Sequence, residues 1–192
     1  MKIVIVGASG TIGAAVSELL AQDHQVIRVG HSQGDARVDM RDPASIRALF
    51  EQIGSFDALV VASGSVAFNA LTEMTDEQWQ VGLQSKLMGQ INLTRAAIAH
   101  LSDRGSITLI SGILSEEPIH WGVSATTING AIEHFVKGAA CELPRGIRIN
   151  VVSPTVLEES MGKYADFFPG FVPVPAARVA QAYKKSVLGV QT

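Results

Sequence analysis

Three glycines near the amino terminus have a spacing that suits the binding of phosphate groups. Gly7, Gly10 and Gly13 lie in VGASGTIG, directly after the apolar run KIVIV, which is typical of a buried strand. Gly7 permits a tight exit from the strand, Gly10 lets the backbone approach a ligand, and Gly13 lets the next helix pack closely. The pattern predicts a dinucleotide pyrophosphate site at the start of a helix. The alternative is a tight turn that binds nothing.

The residues around these glycines are expected to share the ligand, because backbone amides in the first turn of a helix point at a bound anion. They are Ser9, Thr11 and Ile12. The net charge of −3 supplies no general attraction for phosphate, so the attraction must come from these local dipoles.

The end of the second apolar run, in QVIRVGHSQ, bears on which dinucleotide is preferred. An acidic residue there binds the ribose hydroxyls of NAD, but this chain has His31 and Ser32 and no acid before Asp35. Both side chains can donate to a 2′-phosphate, so we expect NADP(H) to be preferred, with NAD(H) as the alternative. Asp39 is expected to meet the adenine amino group or, alternatively, to form a turn. His31 has the alternative of a solvated loop residue.

Strand-like and helical patterns alternate along the whole chain. Continuous apolar runs predict strands at 2–6, 25–29, 57–62, 106–111 and 148–153, with a further short strand near 37–38. Helices are predicted at 11–22, 43–53, 76–101, 124–142 and 176–188. Asp42 with Pro43 and Thr75 with Gln78 provide two helix starts. This alternation predicts a single α/β domain over 1–192, with a doubly wound parallel sheet between two layers of helices.

Composition excludes several classes of function. Hydrophobic residues make up 47% of the chain and charged residues 17%, which is typical of a globular domain rather than a disordered one. The slightly acidic balance argues against nucleic acid or an anionic membrane as a partner. No membrane span, secretory signal or metal-ligand spacing is recognised, and Cys141 is the only cysteine. We therefore expect a cytoplasmic protein that acts on a small molecule and holds no metal.

The order of motifs resembles the short-chain dehydrogenase/reductase family. The segments that carry the resemblance are VGASGTIG, VDM, VVASG, LISG and NGAIEHFVKGAACELPRGIRINVVSPT. The resemblance implies a Rossmann-type fold and oxidoreductase activity with a nicotinamide cofactor. It also implies a homodimer or homotetramer formed through the two long helices, 76–101 and 124–142.

The same resemblance implies further cofactor contacts. Met40 follows Asp39 in VDM, and the loop after the fourth strand passes the adenosine ribose. Pro154 and Val156 would border the nicotinamide, although Thr155 replaces the family's usual glycine between them. The residues expected in the ribose loop are Ala62, Ser63 and Gly64, with Ala62 in place of a usual asparagine.

The family's catalytic Asn, Ser, Tyr and Lys are all changed in this chain. Anchored on NGAIEHFVK, the resemblance places Asn129 where the family has Lys and Ala125 where it has Tyr. It places Gly112, next to Ser111, at the Ser position, and a second anchor on Gly89 and Thr94 places Lys86 at the Asn position. A register shifted by two residues would put Val123 and Thr127 at the Tyr and Lys positions, so either register lacks that pair. Carbonyl reduction needs a proton donor near the hydride acceptor, and Ala125 cannot be one.

Other residues are candidates for the missing role. Lys86 is the first, because a desolvated lysine becomes a usable acid, and its alternative is a solvated or ion-paired side chain. Ser111 can hydrogen-bond a substrate oxygen or simply end a strand, and Asn129 completes the candidate catalytic set. Weaker candidates are Glu116, Glu117, His120 and Tyr164.

Three functions fit this pattern. The first is an NADP-preferring oxidoreductase for a small carbonyl or alcohol, with a nonstandard proton relay. The second is a noncatalytic NADP(H)-binding sensor or partner subunit, and the third is an isomerase or dehydratase that reuses the pocket. The intact glycine loop favours the first two, and the changed catalytic positions favour the second over the first.

Overall fold

Six parallel strands form one sheet in the order β3-β2-β1-β4-β5-β6 in the computed structural model, which describes residues 1–190. The strands are β1 Lys2–Val6, β2 Gln25–Gly30, β3 Ala36–Arg37, β4 Phe56–Val61, β5 Leu101–Ile110 and β6 Arg148–Val152. The order reverses beside β1, so the crevice where α/β folds bind ligands lies outside the carboxyl ends of β1 and β4. The predicted fold class is confirmed.

Helices cover both faces of the sheet. They are α1 Thr11–Leu20, α2 Pro43–Ile53, α3 Asp76–Gly82, α4 Gly89–Ala97, α5 Val123–Ala140, α6 Met161–Tyr164 and α7 Ala176–Leu188. Apolar residues of α1 and α7 form one core with the sheet, and those of α2, α4 and α5 form the other. None of the described helices is long and apolar enough to cross a membrane.

Two predicted helix starts have the geometry expected of them. The Asp42 carboxylate accepts a hydrogen bond from the Ala44 amide at 2.8 Å, with Pro43 in the first helical position. At α3, the Thr75 hydroxyl accepts from the amide of Gln78, whose side chain accepts from the Thr75 amide in return. Each contact satisfies an amide that the helix itself leaves unpaired.

Replacing Thr75 with Ala is therefore expected to destabilise the protein by about 1 kcal/mol, because the Gln78 amide loses its side-chain acceptor. For a chain of this size, that loss lowers the melting temperature by roughly 2–4 °C. Calorimetric melting of both proteins checks the value. Thr72→Ala is a control in the preceding exposed turn, and an equal shift in that variant contradicts the capping assignment.

The long helix predicted over 76–101 is wrong as a single α-helix. A π-helical segment, Leu83–Met88, separates α3 from α4, and α4 ends at Ala97. The following strand begins at Leu101, five residues before the predicted start. Its first half contains polar residues and is displaced from β4 by an irregularity in the pairing register, which is why the apolar pattern did not reveal it.

Tyr183 links the last helix to the functional edge of the sheet. Its side chain is fully buried, and its hydroxyl donates to the carbonyl oxygen of Val61 at 3.0 Å. Burial raises the pKa of this phenol, which stays neutral. The contact fixes α7 against the end of β4, where the loop toward the candidate site begins.

Candidate cofactor and active site

A cleft of about 820 Å³ lies at the carboxyl ends of β1, β2 and β4. The sequence-predicted residues that line it are Gly7, Ser9, Gly10, His31, Asp39, Met40, Ala62, Ser63 and Gly64. Ser32 is exposed and is absent from this lining in the described part of the chain. The topology thus brings together residues that are separated by up to 57 positions in sequence, because parallel strands end at one edge.

The glycine loop has the geometry of a phosphate cradle. Gly7 has φ +86°, a left-handed conformation that favours glycine. A Cβ on Gly13 would lie 2.0 Å from the Gly7 carbonyl oxygen, so only glycine fits there. The first turn of α1 has no side-chain cap, which leaves the amides near Thr11 and Ile12 for a ligand. These residues fit the pyrophosphate of a dinucleotide.

Replacing Gly13 with Ala is expected to abolish NADPH binding, because the new methyl group would force the loop away from α1. Overpacking of this kind costs about 1–3 kcal/mol of stability, so the melting temperature should fall as well. Calorimetric titration and thermal melting measure the two effects. Gly130→Ala on α5 is the matched control, since a Cβ there meets nothing within 4 Å. Unchanged affinity in Gly13→Ala contradicts the cradle.

The part of the cleft that follows β3 is lined by a pair, Asp39 and Arg41, of which the sequence predicted only Asp39. The Asp39 carboxylate accepts hydrogen bonds from the Arg41 amide, at 2.9 Å, and from its guanidinium, at 3.0 and 2.8 Å. These bonds hold the pKa of Asp39 at about 2. The exposed His31 ring lies 3.9 Å from the same carboxylate. Asp39 therefore makes the turn that was its alternative role, while still lining the cleft.

A smaller cavity of about 220 Å³ lies beside the glycine loop. It is lined by Thr11, Ile12, Ala62, Ser63, Gly64, Lys86, Ile110 and Leu157. Lys86 is the only residue of this set with an ionisable side chain. The cavity thus places an amine beside the first turn of α1 and the loop that follows β4.

The ammonium of Lys86 is held by two oxygen atoms. It donates to the Ser111 carbonyl oxygen at 3.0 Å and to Oδ1 of Asn129 at 2.7 Å. Burial lowers the pKa of Lys86 to about 8, and the negative charge of Glu133 opposes that shift. An ammonium has three hydrogens, so one donor remains beyond these two bonds. Such an amine can give or take a proton near neutral pH.

The π-helical segment positions Lys86. The side chain of Gln90, which is fully buried, donates to the Lys86 carbonyl at 3.1 Å and exchanges two hydrogen bonds of 2.9 Å with Ile110. From the opposite side, Gly64 approaches so closely that a Cβ on it would lie 2.6 Å from Cγ of Lys86. π-helical turns are frequent at functional sites, and sequence patterns gave no signal for this one.

Asn129 and Ser111, the other candidate catalytic residues, both contact Lys86. Asn129 also donates to the Gly112 carbonyl at 3.2 Å, and Ser111 is buried with its hydroxyl donating to Glu133 at 2.7 Å. The resemblance placed an Asn at position 86 and a Lys at position 129. In this chain the side chains at the two positions, Lys86 and Asn129, meet in a hydrogen bond.

The remaining candidates lie elsewhere or make other contacts. Ala125, at the expected tyrosine position, is buried and offers no proton. His120 is exposed, with its ring centroid 5.1 Å from that of Trp121. Tyr164 lies beneath the ammonium of Lys163, at 5.0 Å. Glu116 and Glu117 are exposed.

The two positions expected at the nicotinamide lie on the segment that leaves β6. The Pro154 carbonyl accepts from the Ile113 amide, and the Val156 carbonyl accepts from the Val174 amide. Leu157, one residue further, is the member of this segment that lines the small cavity in the described chain.

Comparison with known proteins decides the family. A family model described as enoyl-(acyl carrier protein) reductase matches residues 2–185. The chain belongs to the short-chain dehydrogenase/reductase family. An uncharacterized oxidoreductase of Methylorubrum extorquens is 31% identical over 175 residues, which cover 79% of this chain and 71% of that protein. The 3-oxoacyl-[acyl-carrier-protein] reductase FabG of Escherichia coli is 28% identical over 82% of this chain and 73% of its own.

Solved structures agree with this assignment. The protein lin1944 from Listeria innocua is 54% identical, with a TM-score of 0.98, and the match covers 100% of this chain and 96% of that one. A small-chain dehydrogenase in complex with NADPH is 26% identical, with a TM-score of 0.89 over 100% and 93% of the two chains. Membership in a family of NAD(P)-dependent oxidoreductases is thereby established.

Proposed function

We propose that this protein is an NADP(H)-dependent oxidoreductase that reduces a small carbonyl compound, or oxidises the matching alcohol, with Lys86 as the proton donor. The observation that carries the proposal is the position of Lys86 in a cavity that adjoins the glycine loop. Ala125 occupies the position where the resemblance expects the family's proton-donating tyrosine, and alanine cannot donate a proton.

The cofactor would be held by the residues that line the main cleft. The amides at the start of α1 bind the pyrophosphate, while Met40 and the loop Ala62–Ser63–Gly64 border the adenosine half. His31 and the Arg41 guanidinium, which line the cleft, would supply hydrogen-bond donors for a 2′-phosphate, which supports a preference for NADP(H) over NAD(H). Pro154 and Val156 begin the segment assigned to the nicotinamide. A bound nicotinamide supplies the hydride.

Lys86 would supply the proton. Its two hydrogen bonds, to Ser111 and Asn129, leave one hydrogen free to bind the substrate oxygen and then to be transferred to it. Because its pKa is about 8, the amine is charged at neutral pH and yet able to release a proton as negative charge develops on the oxygen. Asn129 orients the ammonium in this role, and the hydroxyl of Ser111 is committed to Glu133.

The substrate would enter under a short aromatic cover. Trp121 and Phe167 lie with their ring centroids 6.0 Å apart, and both are exposed. They come from the loop before α5 and from the segment after α6, so they meet across the two segments that follow β5 and β6. As a cover of the site, this aromatic pair would favour a compact apolar substrate.

Assembly through the helices α4 and α5 is also proposed. A groove of about 370 Å³ lies between them, lined in part by Ile98, Phe135 and Leu143. A second copy of the chain would cover these apolar side chains. Sedimentation velocity on the wild type and on Phe135→Glu measures this. A dimer or tetramer that dissociates in the variant supports the interface, and a wild-type monomer refutes it.

The test of the proposed activity is NADPH oxidation with a panel of small aldehydes and ketones, followed by absorbance at neutral pH. Turnover of at least one compound, with the hydride of deuterated NADPH recovered in the alcohol, is the expected result. Tight NADPH binding without turnover of any compound would instead support the noncatalytic sensor or partner subunit.

A further inference from the structure

Three serine hydroxyls converge on one carboxylate oxygen of Glu133, a half-buried residue of α5. Oε1 of Glu133 accepts hydrogen bonds from Ser111 at 2.7 Å, Ser115 at 2.8 Å and Ser153 at 3.2 Å. The serines belong to the end of β5, the short 3₁₀ turn after it, and the segment after β6. One side chain of α5 thus ties together the two loops that leave the functional edge of the sheet.

Ser111 connects this carboxylate to Lys86. Its hydroxyl donates to Glu133, and its carbonyl accepts from the Lys86 ammonium. The second acceptor of Lys86, Asn129, lies one helical turn before Glu133, and residues four apart share one face of a helix. Glu133 therefore binds the hydroxyl of Ser111, which supplies one acceptor of the ammonium, and lies one helical turn from Asn129, which supplies the other.

The electrostatic surroundings of Lys86 contain few other charges. The other residues that line its cavity have no ionisable side chain; they are Thr11, Ile12, Ala62, Ser63, Gly64, Ile110 and Leu157. On α5, Glu133 is the group whose negative charge raises the pKa of Lys86 against the effect of burial. Neither the loop after β4, the end of β5, nor the start of α1 places an opposing or reinforcing charge in the cavity lining.

We infer that Glu133 is a positioning residue for Lys86. It holds the Ser111 carbonyl in the place where it orients the ammonium, and its negative charge offsets part of the effect of burial on that ammonium. The inference deepens the proposed function and rests on it for the catalytic consequence, but the charge state of Lys86 can be measured without any turnover.

Glu133→Gln is the decisive variant, because the amide oxygen still accepts from the serines while the negative charge is lost. With ¹³Cε-labelled lysine, the NMR titration midpoint of Lys86, assigned with Lys86→Met, is expected to move at least half a unit lower, roughly the effect of losing one nearby charge. Glu133→Asp, which keeps the charge, should restore most of the midpoint. Glu51→Gln, an exposed acid on α2, is the control and should leave it unchanged.

The same variants are also assayed for carbonyl reduction. In Glu133→Gln the upper limb of the pH profile for carbonyl reduction should move down with the NMR midpoint, while the KM for NADPH changes less than about twofold. A lower melting temperature with an unmoved midpoint would mean that Glu133 is only structural and would overturn the inference. Absence of turnover with a shifted midpoint would overturn the proposed activity and leave the role of Glu133 intact.

Discussion

Lys86→Met is expected to reduce the rate of carbonyl reduction by about 10²–10⁴, the usual contribution of a positioned general acid. Methionine has a similar length and is apolar, so it fills the cavity without donating a proton. The KM for NADPH should change little, because the hydrogen bonds of the Lys86 ammonium go to Ser111 and Asn129. Steady-state kinetics and a calorimetric titration of the variant separate the two effects.

The role proposed for Lys86 also sets the direction in which the rates change with pH. Reduction requires the protonated amine, so the wild-type rate should be constant well below pH 8 and fall as pH rises through the Lys86 pKa of about 8. Alcohol oxidation requires the neutral amine and should rise over the same interval. In Lys86→Met, both profiles should lose this inflection.

A matched control comes from Lys185→Met, an exposed lysine in the last turn of α7. It should keep wild-type rates and the same inflection. If Lys86→Met retains full turnover, another group donates the proton, and the relay assigned to Lys86 is wrong even though the cofactor site stands.

Exchanging the two residues of the Lys86–Asn129 pair is the second large prediction. Asn129→Lys alone would bring a second ammonium close to the first, because Oδ1 of Asn129 now lies 2.7 Å from Nζ of Lys86, and like charges in a partly buried site repel. Lys86→Asn alone removes the charge. The double variant, Lys86→Asn with Asn129→Lys, restores one ammonium and one amide in contact, now carried by the opposite helices.

The two substitutions are therefore expected to be strongly non-additive. Residues in direct contact show coupling free energies of roughly 0.5–3 kcal/mol, and we expect the double variant to be more stable than the sum of the single variants by an amount in this range. Urea unfolding of the four proteins measures the coupling, and NADPH titration shows whether the cofactor site survives. Additive effects would mean that the contact contributes nothing to stability.

Much of the fold followed from local patterns. The alternation of buried apolar runs with capped helices predicted the sheet and its layers, because strands covered on both faces are apolar throughout. Asp42 and Thr75 marked two helix starts through chemistry that is local in sequence. The π-helical segment and the early start of β5 were missed, because each depends on tertiary contacts: Gln90 with Ile110, and a register shift beside Phe56.

The candidate site divides in the same way. Gly7, Gly10 and Gly13 were recognisable, since their roles depend on backbone geometry within one loop. Lys86 was found through the family resemblance, but its contact with Asn129 joins residues 43 positions apart. Glu133 and Arg41 were missed: an acid on a helix and an arginine in a turn usually lie in solvent, and only the fold shows which partners they meet.

Calorimetric titration of the purified protein with NADPH, and separately with NADH, tests the central claim most directly. We predict low-micromolar binding of NADPH and weaker binding of NADH, because the proposed glycine cradle would serve both cofactors, whereas His31 and Arg41 would donate to the 2′-phosphate alone. Failure of either cofactor to bind at millimolar concentration would contradict the account, because the proton relay and the role of Glu133 in catalysis both require a bound nicotinamide.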